Sequence, residues 1–343
     1  MPLESYVLDI MEGRRQGRSL LRALSYLYRS GVVLRNEAYD TGLLKSHDAG
    51  LPVISVGNIT AGGAGKTPFV QLLVEELSKK FRVAILSRGY RSLVEKTGEV
   101  LQVTSKTDVS SCGDEPYWLA HSLPKAQVWV GKNRLKSAQS AKQQGADIIV
   151  MDDGMQHRQL KRDWEIVLVD GEDPLGKGFF LPRGLLRDSP SRLKKADTIV
   201  VVQPHCQQEI EEQLRPLTKA PVIFTKRVTD ISLKGKKVAA FCAIGRPQQF
   251  LKSIREAGGE IVSSFFKPDH DPFYPEELQK FAEESPADVL VCTEKDQVKL
   301  KIDFQCRLPI ISLKSRLEIS SNPAAWQDLL NKIQAKIQSR VEK

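Results

Sequence analysis

The chain has 343 residues, 41% of them hydrophobic and 27% charged, with a formal net charge of +9. That length holds two hydrophobic cores, and the composition excludes a disordered polypeptide. The positive balance suits an anionic partner (nucleic acid, an acidic membrane surface or a phosphorylated substrate) without choosing among them.

Met1 to Gly17 mixes acids and arginines without an apolar core, so no signal peptide is expected. Arg18 to Arg35 reads as an amphipathic helix. Leu20, Leu24, Leu27, Gly31 and Leu34 fall on one face, and Arg18, Arg22, Ser25 and Arg29 on the other. No stretch between Arg22 and Arg29 approaches the roughly 20 apolar residues of a membrane span. Composition alone favours a packing helix over one lying in a membrane interface. Leu21, Val32 and Val33 spread the apolar surface beyond one stripe and keep the interfacial reading open.

From Pro52 onward apolar strands alternate with helices. Pro52–Gly57, Val83–Leu86, Ala146–Met151, Ile166–Val169 and Thr198–Val202 are near-continuous apolar runs, which predicts an α/β fold with a parallel sheet covered on both faces. A second series follows Val222–Phe224: Val238–Phe241, Ile261–Val262, Val289–Val291 and Ile310–Ile311, with helices over Gln248–Ala257 and Pro275–Glu284. A boundary falls near residues 225–235. The five cysteines stand singly, none at metal or redox spacing, which suits a reducing cytosol.

Between the first strand and its helix lies Thr60-Ala61-Gly62-Gly63-Ala64-Gly65-Lys66-Thr67-Pro68. Strand, glycine-rich turn, Lys-Thr and helix are what a phosphate-binding loop requires. Its N–H groups and the helix start face the phosphates, Lys66 bridges the β- and γ-phosphates, and the Thr67 hydroxyl ligates Mg²⁺. Thr60 stands where the common pattern has its first glycine, so the loop resembles the variant of partitioning and septum-site ATPases. Those carry a lysine where Ala61 stands here.

Ile148–Met151 ends in Asp152-Asp153, the place for a second Mg²⁺ ligand beside such a loop. Gln156 and His157 follow within reach of a substrate. Asp114, in Gly113-Asp114-Glu115-Pro116, is a candidate base for a hydroxyl acceptor, with an ordinary helix cap as the alternative. His270 lies between Asp269 and Asp271 on a loop. Thr293-Glu294-Lys295-Asp296 is not a guanine-reading motif, because its lysine and second acid are adjacent.

Taken in order, Val56–Pro68, Ser87-Arg88-Gly89-Tyr90, Gly113–Pro116, Asp152–His157, Leu181–Arg187, Asp269-His270 and Thr293–Asp296 resemble the tetraacyldisaccharide 4′-kinase family. The resemblance runs to about Lys299 and is most specific between Gly57 and His157. It implies two α/β units joined by a hinge: an N-terminal membrane-associated helix in 1–40, an ATP-binding kinase domain in 41–228 and a C-terminal domain in 229–343. It implies ATP and Mg²⁺ as cofactors, bound by residues 60–67. Thr67, Asp152, Asp153 and Asp188 would stand at the metal; the family commonly has glutamate at the last of these. Asp114 would be the base with His270 as partner, and Tyr90, Arg134, Gln156 and His157 would line the cleft.

The implied activity is phosphorylation of a lipid A precursor at the cytoplasmic face of the bacterial inner membrane. Attachment would be peripheral or monotopic through the N-terminal helix, with no nucleic acid and no required protein partner. A competing reading is a membrane-associated partitioning-type ATPase. If Asp114 is the base, Asp114→Ala lowers turnover on the order of a hundredfold or more and leaves ATP affinity nearly intact. Loss of ATP binding in a titration of that variant would move Asp114 to the nucleotide site.

Overall fold

A computed structural model describes residues 18–62, 65–90, 92–245, 247–269, 271–300 and 306–341. Gly63, Ala64, His270 and the segment before residue 18 lie outside the described residues.

The strands are β1 (Val53–Asn58), β2 (Val83–Ser87), β3 (Val100–Val103), β4 (Gln127–Gly131), β5 (Ile148–Asp152), β6 (Trp164–Asp170), β7 (Thr198–Val202), β8 (Val222–Thr229), β9 (Lys237–Cys242), β10 (Glu260–Phe266), β11 (Val289–Thr293), β12 (Ile310–Leu313) and β13 (Ser315–Ser321). Nine form one sheet in the order β13-β8-β7-β6-β1-β5-β2-β4-β3. Its interior pairs are parallel, and only the two edge pairs, β3 with β4 and β13 with β8, are antiparallel. The second sheet, β10-β9-β11-β12, is parallel throughout. The fold is α/β, a large parallel-dominated sheet with helical cover beside a smaller α/β unit.

β1, β2, β5, β6 and β7 are buried along their whole length. Both faces of the sheet are therefore covered, which is why these strands read as continuous apolar runs without alternation. The helix Lys66–Leu77 buries Phe69, Val70, Leu73, Val74 and Leu77 against one face. This leaves its first turn projecting at the carboxyl end of β1, where ligands meet open parallel sheets.

Two expectations are corrected. Residues 315–341, assigned by sequence to the second unit, return to the large sheet. β13 pairs along β8, and Leu317, Trp326, Leu329, Leu330, Ile333 and Ile337 join the core under Phe69. The Trp326 and Phe69 rings meet edge to face at 5.9 Å. The reason is burial: these side chains extend an apolar face that the second sheet does not offer, each contributing about 1.5–3 kcal/mol when fully covered.

The N-terminal helix, Arg18–Asp40, is also turned otherwise than its leucines suggested. Leu21, Ser25 and Asn36 face the protein, whereas Leu20, Leu27 and Leu34 are each 71% exposed. Ser25 is buried because its Oγ donates to the Phe180 carbonyl at 2.7 Å, which satisfies the hydroxyl. Among the described residues no helix is long and apolar enough to cross a membrane.

Ile333→Ala is expected to cost about 2–5 kcal/mol. Denaturant unfolding followed by tryptophan fluorescence would show an earlier transition. An unchanged transition would mean that the C-terminal helix contributes little to the large-sheet core.

Candidate active site

The site is assembled at the carboxyl ends of β1 and β5. Asn58, the last residue of β1, is fully buried and binds in four directions. Its Oδ1 accepts from Lys66 Nζ at 3.1 Å and from Arg187 Nη2; its Nδ2 reaches Thr60 Oγ1 at 3.3 Å; its carbonyl accepts from Gln156 Nε2 at 3.0 Å. Lys66 lies 3.6 Å from Asp153 Oδ1, and the Arg187 guanidinium grips the same carboxylate with both terminal nitrogens. A phosphate-loop lysine, a paired aspartate and an arginine thus converge on one strand end.

Local backbone explains the placement. Gly65 precedes the helix at φ 73°, and a Cβ there would stand 2.9 Å from Val202 Cγ1, so only glycine makes this turn. A Cβ at Gly57 would come within 2.4 Å of Met155 Cβ. Glycine at that position lets the strip after β5 lie against β1 and brings Asp152 and Asp153 beside Lys66. Asp153 itself takes a left-handed φ of 53°, which aspartate tolerates and which separates its side chain from that of Asp152.

The two aspartates are in opposite electrostatic states. Burial, reinforced by Glu115 and Asp153, pushes the Asp152 carboxyl well above the usual range. Burial also acts against Asp153, but Arg187 and Lys66 outweigh it and hold that group ionised far below the usual range. Asp152 Oδ1 is buried with no hydrogen-bond partner, as is Gln156 Oε1. An orphaned carboxylate oxygen in the field of Lys66 suits a hard divalent cation. Among the described residues no group of three His, Cys, Asp or Glu forms a cage.

The other expected residues divide. Arg134 is buried behind the aspartates, where burial brings its pKa down to about 10 against their opposing pull, and its Nη1 donates to the Gly131 carbonyl at 2.5 Å. His157 is held neutral: burial and the neighbouring Arg134, Arg162 and Arg35 charges bring its pKa down to about 4. Thr60 forms an isolated bridge with Leu186, and Ala61 N–H donates to the Leu185 carbonyl at 2.6 Å, which ties the phosphate loop to the Pro182–Arg187 motif. Gly62 is exposed and left-handed at φ 102°.

Tyr90 is 59% exposed, and its carbonyl abuts Gly113, the residue before Asp114. Asp114 opens the helix Asp114–Ser122 and meets Lys299 across the junction with the second sheet. Asp188 is turned toward the N-terminal helix, its Oδ1 accepting from Asn36 Nδ2 and from Ser189 N–H, both at 2.8 Å.

Four participants escaped the sequence-based site list: Asn58, Glu115, Arg162 and Arg187. Arg162 donates to the carbonyls of Met155 and His157 and to Glu165, which in turn accepts from Ser55 at 2.6 Å. This buried bracket holds the strip carrying Gln156 and His157. Arg187, Asn58 and Glu115 stood inside quoted motifs without a visible role.

The sequence profile of the family described as tetraacyldisaccharide-1-P 4′-kinase matches residues 17–334. The chain belongs to this family. Tetraacyldisaccharide 4′-kinases of Halothermothrix orenii and Chlamydia pneumoniae are 35% and 38% identical to it, over 88% and 82% of this chain and 89% and 81% of theirs. The crystal structure of LpxK from Aquifex aeolicus in complex with ATP superposes with a TM-score of 0.72 at 30% identity, covering 92% of this chain and 97% of that one.

The neutral state of His157 carries a sign. Its folded pKa, about 4, lies below the ordinary 6.5, so between those values the unfolded chain binds more protons. Stability is therefore lost as pH falls from 6.5 toward 4. Thermal melts of wild type against His157→Gln are expected to show a shallower acid decline in the variant. Parallel curves would mean that His157 titrates alike in both states.

Proposed function

We propose that this chain transfers the γ-phosphate of ATP to the 4′-hydroxyl of a tetraacyldisaccharide 1-phosphate, a step of lipid A synthesis. The observation that carries the reading is a family match running through both sheets and every motif of the site. A partitioning-type ATPase is not favoured, since that match includes the second sheet, for which such an ATPase has no use.

In this reading, residues 60–67 cradle the phosphates, and Lys66 neutralises the oxygens that gain charge as the phosphoryl group moves. Thr67 and Asp152, with Asp153 beside them, would hold Mg²⁺, which when bound would supply charge neutralisation for the transferring phosphoryl group. Asp114 accepts the proton of the attacking hydroxyl, assisted by His270. Tyr90, Arg134, Gln156 and His157 shape the acceptor side. Neutral His157 can both donate and accept hydrogen bonds to a sugar hydroxyl. Most of the rate comes from positioning the two reactants.

The acceptor's acyl chains require a membrane surface. The exposed leucines of the helix Arg18–Asp40, with Leu43 at its end, support peripheral docking at the cytoplasmic face of a bacterial inner membrane. Asn36, which binds Asp188, and Tyr28, whose hydroxyl donates to the Arg187 carbonyl at 3.4 Å, link that helix to the site. Neither nucleic acid nor a protein partner is needed.

The test is transfer from γ-labelled ATP to a tetraacyldisaccharide 1-phosphate in detergent micelles. Labelled lipid is expected, with Lys66→Ala lowering the rate by at least about a hundredfold. ATP hydrolysis without labelled lipid would overturn the assignment.

A further inference from the structure

Two lysines of the second unit point at the first. Lys295 lies in the short helix Glu294–Gln297 and Lys299 just after it, both following β11. Each reaches the start of the helix Asp114–Ser122: Lys295 pairs with Glu115, and Lys299 Nζ lies 2.9 Å from Asp114 Oδ2. The second pair is well shielded, its side chains only 9% and 15% exposed.

Lys299 is fixed from its own side. Asp296, fully buried, stands 3.9 Å from its ammonium. The Asp296 carboxylate accepts from Thr293 Oγ1 at 2.6 Å, at the end of β11, and from the Ala243 N–H at 3.2 Å, just beyond β9. The lysine is thus tied through one carboxylate to two central strands of the second sheet. On the other side, Asp114 stands in the first turn of its helix, where its carboxylate meets the Lys299 ammonium.

We propose that Lys299 is a positioning residue for phosphoryl transfer, holding the Asp114 carboxylate where a proton can be taken from the acceptor hydroxyl. The proposal rests on the reading of Asp114 as the base. Proton transfer requires hydrogen-bond reach, and a displacement near 1 Å in such a group costs on the order of a hundredfold in rate. A charge-assisted contact in a shielded place is strong enough to choose between carboxylate rotamers. Because the lysine belongs to the second sheet, the geometry of the base then depends on how the two units meet. Lys295 and Glu115 form a parallel contact one residue away and share the work of docking.

The test combines steady-state kinetics with a double-mutant cycle on the full chain, using ATP-Mg²⁺ and tetraacyldisaccharide 1-phosphate in micelles. Lys299→Met is expected to lower kcat about a hundredfold, with the ATP KM changed less than about twofold. Lys299→Arg, which keeps the charge, recovers most of the loss. In an Asp114→Asn background, Lys299→Met adds no further loss, since a residue that acts through another has nothing left to position. A kcat unchanged in Lys299→Met overturns the proposal, and so does an undiminished extra loss in the Asp114→Asn background. Melting curves accompany each variant; if Lys299→Met does not fold, Lys299→Gln takes its place with the same expected and overturning results. Failure of the underlying reading is separate: Asp114→Asn alone would then turn over normally.

Discussion

The site depends on one buried amide. Asn58 ends the central strand of the large sheet, and its carbonyl and side chain hold the phosphate-loop lysine, Arg187, Gln156 and Thr60. An amide offers both donors and acceptors on a short, stiff stem, so groups arriving from three segments can be aligned on a single residue. Around it the charges are balanced locally: Lys66 and Arg187 share Asp153, while Asp152 is fully buried, where Lys66 and Arg134 only partly offset burial and the push of Glu115 and Asp153. Such a carboxyl carries a standing desolvation cost in the free protein.

Much of this was legible in the chain. Strands buried on both faces leave continuous apolar runs, and a glycine turn before Lys66 and Thr67 can be read without a structure because backbone geometry leaves few alternatives. The same holds for the acids closing β5. What was not legible depended on distant partners. β13 is a polar, half-exposed edge strand whose only fully covered side chain is Leu317, and nothing in its seven residues says that it pairs with β8 rather than with its neighbour β12. Ser25 reads as a solvent-facing residue until the Phe180 carbonyl appears beside it. Glu115 and Lys299 are ordinary charges in the sequence and acquire a role only because their segments meet.

The N-terminal helix is where sequence and structure correct each other most usefully. Its leucine stripe looked like a packing face, yet the packing is done by the narrower strip of Leu21, Ser25 and Asn36, which sits over the Phe180–Asp188 segment. The leucines are left outward while the polar residues beneath them are satisfied by the protein. That inversion distinguishes a helix that offers apolar surface from one that hides it, and it sets the offered surface within one side chain of Arg187 and Asp188.

The pairing of β8 with β13 has a further consequence. Thr229 and Ser315 are register partners, and the chain leaves the large sheet after the first and returns at the second. The smaller sheet is therefore an insertion at the tip of a two-stranded ribbon, tethered by two connections that lie side by side. A tight turn joining Thr229 to Ser315 would accordingly close the larger sheet as a hairpin without the smaller one.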